Sequence, residues 1–190
     1  CAAIPENLLE SELYGHVRGA FTGAISNKRG MFEEASGGTL LLDEIAELHP
    51  ALQAKLLRTL DEGKIRRVGD TRQIDVNARL ICSTNKNLED EVRENRFRLD
   101  LYHRVRVIEI KLPPLRERKE DIPMLVKNFI EKICAEYSRP LPEMDTSVMR
   151  ALMEHKWIGN VRELINTMEQ AILLCEDNRI TERCISHILT

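Results

Sequence analysis

An α/β core followed by a small all-α bundle is the fold this sequence predicts, and three observations carry the prediction. The run Thr39-Leu40-Leu41-Leu42, bounded by Gly37-Gly38 and Asp43-Glu44, and the run Ala78-Arg79-Leu80-Ile81-Cys82-Ser83 have the length and apolar content of core strands. Between them Leu52, Leu56 and Leu60 recur at four-residue spacing behind Pro50, which reads as a helix stopped near Gly63. Strands alternating with helices imply layered α/β architecture. From the adjacent Pro113 and Pro114 onward only helical periods occur. The domain boundary is therefore placed there, with residues 1–113 in the α/β part and 114–190 in the helical part.

Along the chain, Pro5 opens a short helix with Leu8, Leu9 and Leu13 on one side and Gly15 just past its end. The stretch from Gly15 to Gly30 has no apolar period and carries four glycines, so it reads as one long loop; loops beyond about 12–15 residues tend to be functional or disordered. Thr39 to Leu42 is expected to be buried on both faces, as in a parallel sheet. Arg66 to Asp70 resembles a strand running into a turn. In the second part, helices are expected through Ile122, Leu125, Val126, Phe129, Ile130 and Ile133, then Val148 and Leu152, then Val161 to Cys175.

Composition narrows the function classes. With 43% hydrophobic and 31% charged residues, the chain can bury one sizeable core and a small second one, which argues against disorder. A net charge of -3 gives no global footprint for DNA or membrane, so direct DNA binding by this segment is not expected. The five cysteines are odd in number and lack CxxC spacing, which points to a reducing, cytoplasmic compartment. No apolar run has transmembrane length and no leader pattern opens the chain. The five histidines share no spacing with the cysteines that would make a zinc site, and no hydrolase triad follows from the sequence.

Five features bear on chemistry. The hexapeptide Gly19-Ala20-Phe21-Thr22-Gly23-Ala24 frames one aromatic ring and one hydroxyl between glycines. Burying a Phe is worth roughly 1.5–3 kcal/mol, which a solvated tip forgoes unless a partner covers it; a lone FTG turn would more simply tuck its Phe back. Asp43-Glu44 after a leucine run has the Walker B arrangement, one carboxylate near hydrated Mg2+ and the next able to polarise a water. Taken alone, such a pair more often marks a strand end meeting solvent. Thr84 and Asn85 close the other strand, where a side-chain amide can orient water or sense a γ-phosphate; a turn-forming Asn is the alternative. Arg98 and Arg104 suit phosphate-reaching fingers across a subunit boundary, although spacing alone favours a charged face paired with Asp100. Arg162 follows Asn160, expected as an N-cap with Glu163 as its capping-box partner. A cation in that first turn opposes the helix dipole by about 0.3–1 kcal/mol, which a bound phosphate or an ion pair with Glu163 would offset. No G-x-x-x-x-G-K-[ST] run occurs; Gly63-Lys64 is followed by Ile65.

Together these motifs resemble, in order and over almost the whole chain, the central AAA+ ATPase domain of bacterial enhancer-binding proteins, the activators of sigma-54 RNA polymerase. ESELYGHVRGAFTGA resembles the sigma-contacting loop of that family, GMFEEASGGTLLLDEI its Walker B region and STNKNLEDEV its sensor I. FRLDLYHRVRVIEIKLPPLRERKEDI is similar to its arginine-finger segment and lid linker. WIGNVRELIN resembles its sensor II motif, with Ile158 where the family usually has proline. The resemblance implies a P-loop-type AAA+ parallel sheet core with a helical lid, and a chain that starts downstream of Walker A. It implies ATP and Mg2+ as cofactors, Asp43 holding Mg2+ through water, Glu44 activating the attacking water, and Thr84 and Asn85 as sensor I. Arg98 and Arg104 would be fingers acting in trans, Arg162 sensor II, and Phe21 and Thr22 the contacts to sigma-54. A ring of six or seven subunits and regulatory and DNA-binding domains elsewhere are also implied, as in two-component transcription activators. Two other classes fit less of the sequence: a different AAA+ remodelling ATPase has no use for the hexapeptide, and a non-hydrolysing sigma-54-interacting module would account for the missing phosphate loop.

Overall fold

Residues 6–175 and 177–186 are described in the computed structural model, which divides into Cys1–Glu109 and Ile110–Thr190. Pro5, expected to open the first helix, lies outside the described residues, as do Cys1 and His187.

In the first unit, α1 (Glu6–Tyr14) buries Leu9, Leu13 and Tyr14, whereas Leu8 is 48% exposed. Leu9 and Leu13 are one turn apart, and Leu8 lies about 100° off their stripe. The chain then forms an antiparallel pair, β1 (Gly15–His16) with β2 (Lys28–Arg29), Gly15 opposite Arg29. The expected continuous loop from Gly15 to Gly30 is therefore pinned at its base. Only glycines fit there: a Cβ on Gly30 would lie 2.3 Å from the Tyr14 carbonyl carbon, and one on Gly15 (φ +77°) 2.5 Å from the Lys28 carbonyl oxygen.

The short α2 (Met31–Glu34) packs Phe32 against Tyr14, ring centroids 5.4 Å apart, and buries Glu33. Glu33 accepts two bonds from Arg67, at 2.7 and 2.6 Å, and this guanidinium holds the Glu33 carboxyl below its ordinary value of 4.5 against the opposing effect of burial. A depressed folded pKa stabilises the protein above the unfolded value, and that contribution disappears as pH falls through the folded pKa. Thermal unfolding should therefore show Glu33→Gln costing about 1–3 kcal/mol near neutrality, and the gap to the parent closing as pH falls below about 4.5. A gap independent of pH would mean the pair does not ionise as described.

β3 (Thr39–Leu42) leads through Asp43-Glu44 and a 3-10 turn, Ile45–Glu47, into α3 (Pro50–Glu62), ended by Gly63 at φ 64°. The strand expected at Arg66 to Asp70 lies earlier. β4 (Lys64–Ile65) pairs antiparallel with β5 (Ile74–Asp75), and Arg67 to Asp70 is a turn closed by Asp70 N–H on the Arg67 carbonyl. β6 (Arg79–Cys82) pairs parallel with β3, Thr39 opposite Arg79 through Leu42 opposite Cys82. Burial on both faces is not what the pair has: Leu40 and Leu42 join the core with Leu52, Leu56 and Leu101, but Leu41 is 60% and Ile81 46% exposed. Strand side chains alternate, and the described residues cover one face only. α4 (Leu88–Arg93), capped by the Asn87 side chain, and α5 (Leu99–Val105) complete the unit.

In the second unit α6 (Ile122–Glu136), α7 (Thr146–Glu154), α8 (Asn160–Leu174) and α9 (Glu182–Ser186) surround Val126, Leu152, Trp157, Leu164 and Met168. This half is not purely helical, because β7 (Glu143–Met144) and β8 (Arg179–Ile180) pair in parallel. Two-residue strands are too short to show alternation in sequence. Of the described cysteines all are free, and burial pushes the Cys82 thiol up to about 11, which keeps it protonated and inert near neutrality.

Candidate active site

Because β3 and β6 are parallel neighbours, their carboxyl ends open at one edge, where α/β folds bind ligands. Backbone pairing continues past both strands: Ser83 N–H donates to the Leu42 carbonyl and Ile45 N–H to the Ser83 carbonyl, each at 3.0 Å. Asp43 and Glu44 are pinched between these bonds, and Glu44 takes a left-handed backbone with φ 55° and ψ 55°. For a non-glycine residue that costs of order 1–3 kcal/mol and persists where the surroundings enforce it. Both side chains meet the end of β6. Ser83 Oγ donates to Asp43 Oδ1 at 2.5 Å, and Asn85 N–H donates to Glu44 Oε2 at 3.3 Å.

Thr84 Oγ1 accepts from Lys86 N–H at 3.1 Å, and Lys86 Nζ pairs with Glu47 at 2.6 Å, tying the β6 exit to the turn after Glu44. The Asn85 side-chain amide has no hydrogen-bond partner among the described residues. Asp43, Glu44, Thr84 and Asn85 are thus gathered at one edge although 40 residues separate the strand ends bridged by Ser83 and Asp43. Among the described residues no group of three or more His, Cys, Asp or Glu forms a metal cage. An open edge with one or two carboxylates suits Mg2+, which keeps most of its waters and shares its ligands with phosphates. Ser83, which the sequence places only as the last residue of the second core run, is also a member of this site.

Arg98 and Arg104 sit elsewhere, on α5. Arg98 is its N-cap residue and Arg104 lies in its last turn. Arg98 forks onto Asp100 at 3.0 and 2.6 Å, and this guanidinium holds the Asp100 carboxyl below the usual carboxylate range. Arg104 donates to the Leu60 carbonyl at 2.7 Å and pairs with Asp61 at 3.3 Å. Both side chains are about half exposed, so neither is committed to the core. The backbone that presents Arg98 is fixed from below by the buried Phe97 and by the amide of Gln53, which is fully buried in α3.

In the second unit Arg162 is exposed in the first turn of α8 and makes no hydrogen bond or ion pair among the described residues. The cap differs by one residue from expectation. Gly159 is the N-cap, and Glu163 reaches back to the Gly159 N–H at 2.8 Å while its other oxygen meets His155 Nε2 at 2.8 Å. Asn160 instead has φ 55° and its Oδ1 accepts from Leu115 N–H at 2.8 Å, so it anchors the segment after the prolines. Glu163 is therefore occupied by the cap and by His155, which leaves the Arg162 guanidinium available.

The hexapeptide forms the tip of the β1–β2 hairpin. Gly19 (φ 82°) and Gly23 (φ 102°) turn the chain, and Gly19 N–H donates to the Ala24 carbonyl at 2.9 Å, closing the tip on itself. Ala20 rests on Gly69, where any Cβ would come within 2.7 Å of the Ala20 methyl. Phe21 is intermediate between the two sequence expectations. Its ring meets His16 edge-on at 5.1 Å between centroids, yet it remains 38% exposed. Thr22 is exposed and makes no hydrogen bond among the described residues.

Comparison with known proteins gives a consistent relationship. Residues 1–111 match the family model of the Sigma-54 interaction domain, and residues 116–189 match the AAA+ ATPase lid domain. The chain is 52% identical, over 98% of its length, to the Nif-specific regulatory protein of Azotobacter vinelandii, of which it spans 35%. It is 50% identical over 93% of its length to the anaerobic nitric oxide reductase transcription regulator NorR of Vibrio vulnificus (strain YJ016), spanning 34% of it. The response regulator protein PilR of Pseudomonas aeruginosa is 47% identical over 95% of this chain, which spans 40% of that protein. NtrX of Brucella abortus, solved in complex with ADP, superposes with a TM-score of 0.88 at 36% identity, covering 100% of this chain and 43% of NtrX. Its complex with ATP gives a TM-score of 0.85 at 35% identity, over 100% of this chain and 41% of that one. The chain spans between about a quarter and two fifths of the curated relatives it matches. On these matches, which run through both units, the chain belongs to the Sigma-54 interaction domain family, with an AAA+ ATPase lid domain following it.

Proposed function

We propose that this chain is the ATP-hydrolysing motor of a sigma-54-dependent transcription activator, which remodels the closed complex of sigma-54 RNA polymerase. The observation that carries the reading is the convergence of Asp43, Glu44, Thr84 and Asn85 at one sheet edge in a chain whose separate hairpin ends in GAFTGA. Asp43 would hold Mg2+ through its waters, and the ion would neutralise charge on the phosphoryl oxygens. Glu44, steered by its left-handed backbone toward the end of β6, accepts a proton from the attacking water. Asn85 orients that water or senses the γ-phosphate through its unengaged amide, beside Thr84. Arg98 and Arg104 act in trans across a ring of six or seven subunits, exchanging Asp100 and Asp61 for phosphate. Arg162 senses phosphate from the lid, and its place at a helix start, without a partner among the described residues, suits an anion.

Phe21 and Thr22 meet sigma-54 at the hairpin tip, with Gly19, Ala20, Gly23 and Ala24 shaping it. The chain works in the cytoplasm, among the described residues no helix is long and apolar enough to cross a membrane, and DNA contact is made by other parts of the protein. The 190 residues alone turn over little ATP, because no phosphate-cradling G-x-x-x-x-G-K-[ST] run occurs among them. The reading is tested by open-complex formation at a sigma-54 promoter with the purified full-length protein. Open complexes should form with ATP and not with a non-hydrolysable analogue; equal yields with both would remove hydrolysis from the function.

A further inference from the structure

Gln53 is fully buried in α3, one residue from Leu52 and three from Leu56, on a face it shares with those leucines and the buried Thr59. A buried primary amide must satisfy its donors and acceptor or pay their desolvation in full. This one satisfies them on three backbone groups. Nε2 donates to the Leu48 carbonyl at 2.7 Å and to the Arg96 carbonyl at 2.9 Å, and Oε1 accepts from Arg98 N–H at 2.8 Å. Leu48 lies just past the turn that leaves Glu44, while Arg96 and Arg98 flank the buried Phe97. One side chain therefore joins the exit of the acidic pair to the entry of α5, and it does so through backbone, where geometry is passed on most rigidly.

We infer that Gln53 is a positioning residue for the Arg98 finger: it sets the angle at which Arg98 leaves the core toward the neighbouring subunit. The inference rests on the assignment of Arg98 as a finger acting in trans. Among the described residues the Arg98 side chain itself is held only by the exposed Asp100, so its aim depends on the backbone beneath it. Hydrophobic packing alone does not account for an amide here, because a Leu or Met would fill the same space without directional bonds. Gln53→Leu leaves two carbonyls and one N–H of that backbone without their partner. Gln53→Glu keeps the shape and the acceptor but turns a carboxylate oxygen on the Leu48 and Arg96 carbonyls.

The test uses the full-length protein, with ATP turnover and nucleotide affinity measured separately. Misplacement of a reacting group by about 1 Å is worth on the order of 10²-fold in rate. Rings of Gln53→Leu should lose turnover on that order while binding nucleotide with parental affinity. Mixing them with Glu44→Gln subunits, whose own sites are inactive but whose fingers are intact, should restore turnover at least about tenfold. Arg98→Ala subunits, mixed in the same way, are the reference for a finger defect. Rescue of both Gln53→Leu and Arg98→Ala supports the inference. Rescue of Arg98→Ala without rescue of Gln53→Leu, or of Gln53→Glu should the leucine variant not fold, overturns it and leaves the finger assignment standing. Failure to rescue Arg98→Ala overturns the trans finger and the inference together.

Discussion

Glu44→Gln in the full-length protein is expected to lower ATP turnover by about 10²–10⁴-fold, the range a positioned general base contributes, while nucleotide stays bound. The expectation follows from the geometry around Glu44 rather than from its charge alone. Its backbone is held in the left-handed region by the Ser83–Leu42 and Ile45–Ser83 bonds on either side, and its carboxylate reaches the Asn85 N–H. A glutamine preserves the size and the hydrogen bond from Asn85 but has no proton affinity to offer water. Binding, which the proposed function assigns to Asp43 and the phosphate contacts, should therefore survive. Single-turnover hydrolysis and equilibrium nucleotide binding, measured on the same preparation, separate the two effects. Turnover within a few-fold of the parent would show that the base is another group. A joint loss of binding and turnover would show that the strand-end pinch is structural.

Much of this arrangement is legible in the sequence, for a physical reason. The helices through Leu52, Leu56 and Leu60, through Ile122 to Ile133 and through Val161 to Ile172 carry their own period, so each segment declares its type locally. The carboxylates after β3 and the Thr84-Asn85 pair after β6 are also local features. Their meeting follows once the two runs are taken as neighbouring parallel strands, since such strands share a carboxyl edge. What escapes the sequence is pairing between distant groups. The closure of Gly15 on Arg29, the β7–β8 pair and the Asn160 contact with Leu115 N–H each join segments far apart in the chain through few bonds. Gln53 leaves a faint signal, a polar residue beside the leucine stripe of its helix, but nothing local says that it serves Arg98, 45 residues on. Face exposure escapes the sequence for the same reason, because whether Leu41 is covered depends on neighbours that a four-residue run does not specify.

The hairpin supplies the second large effect. Its base is fixed by the Gly15–Gly30 crossing and its side by Ala20 on Gly69, while Arg67, two residues from Gly69, is anchored by Glu33. At the tip Phe21 is partly engaged by His16, whereas Thr22 contributes no hydrogen bond to the described fold. Removing the Thr22 hydroxyl should therefore leave the hairpin, the core and the strand-end site unchanged, and take away only what the tip offers a partner. For a hydroxyl that meets a buried donor or acceptor on sigma-54, the unmade bond leaves that group unsatisfied at about 1–3 kcal/mol, a factor of roughly 5 to 150 in the populations the motor must shift. Open-complex formation should fall at least that far. The decisive experiment measures ATP turnover and open-complex formation side by side for full-length Thr22→Ala, with turnover retained within about twofold of the parent and open complexes lost by the factor above. Retained activation, or loss of hydrolysis together with activation, would contradict a hydrolysis-driven contact carried by this loop.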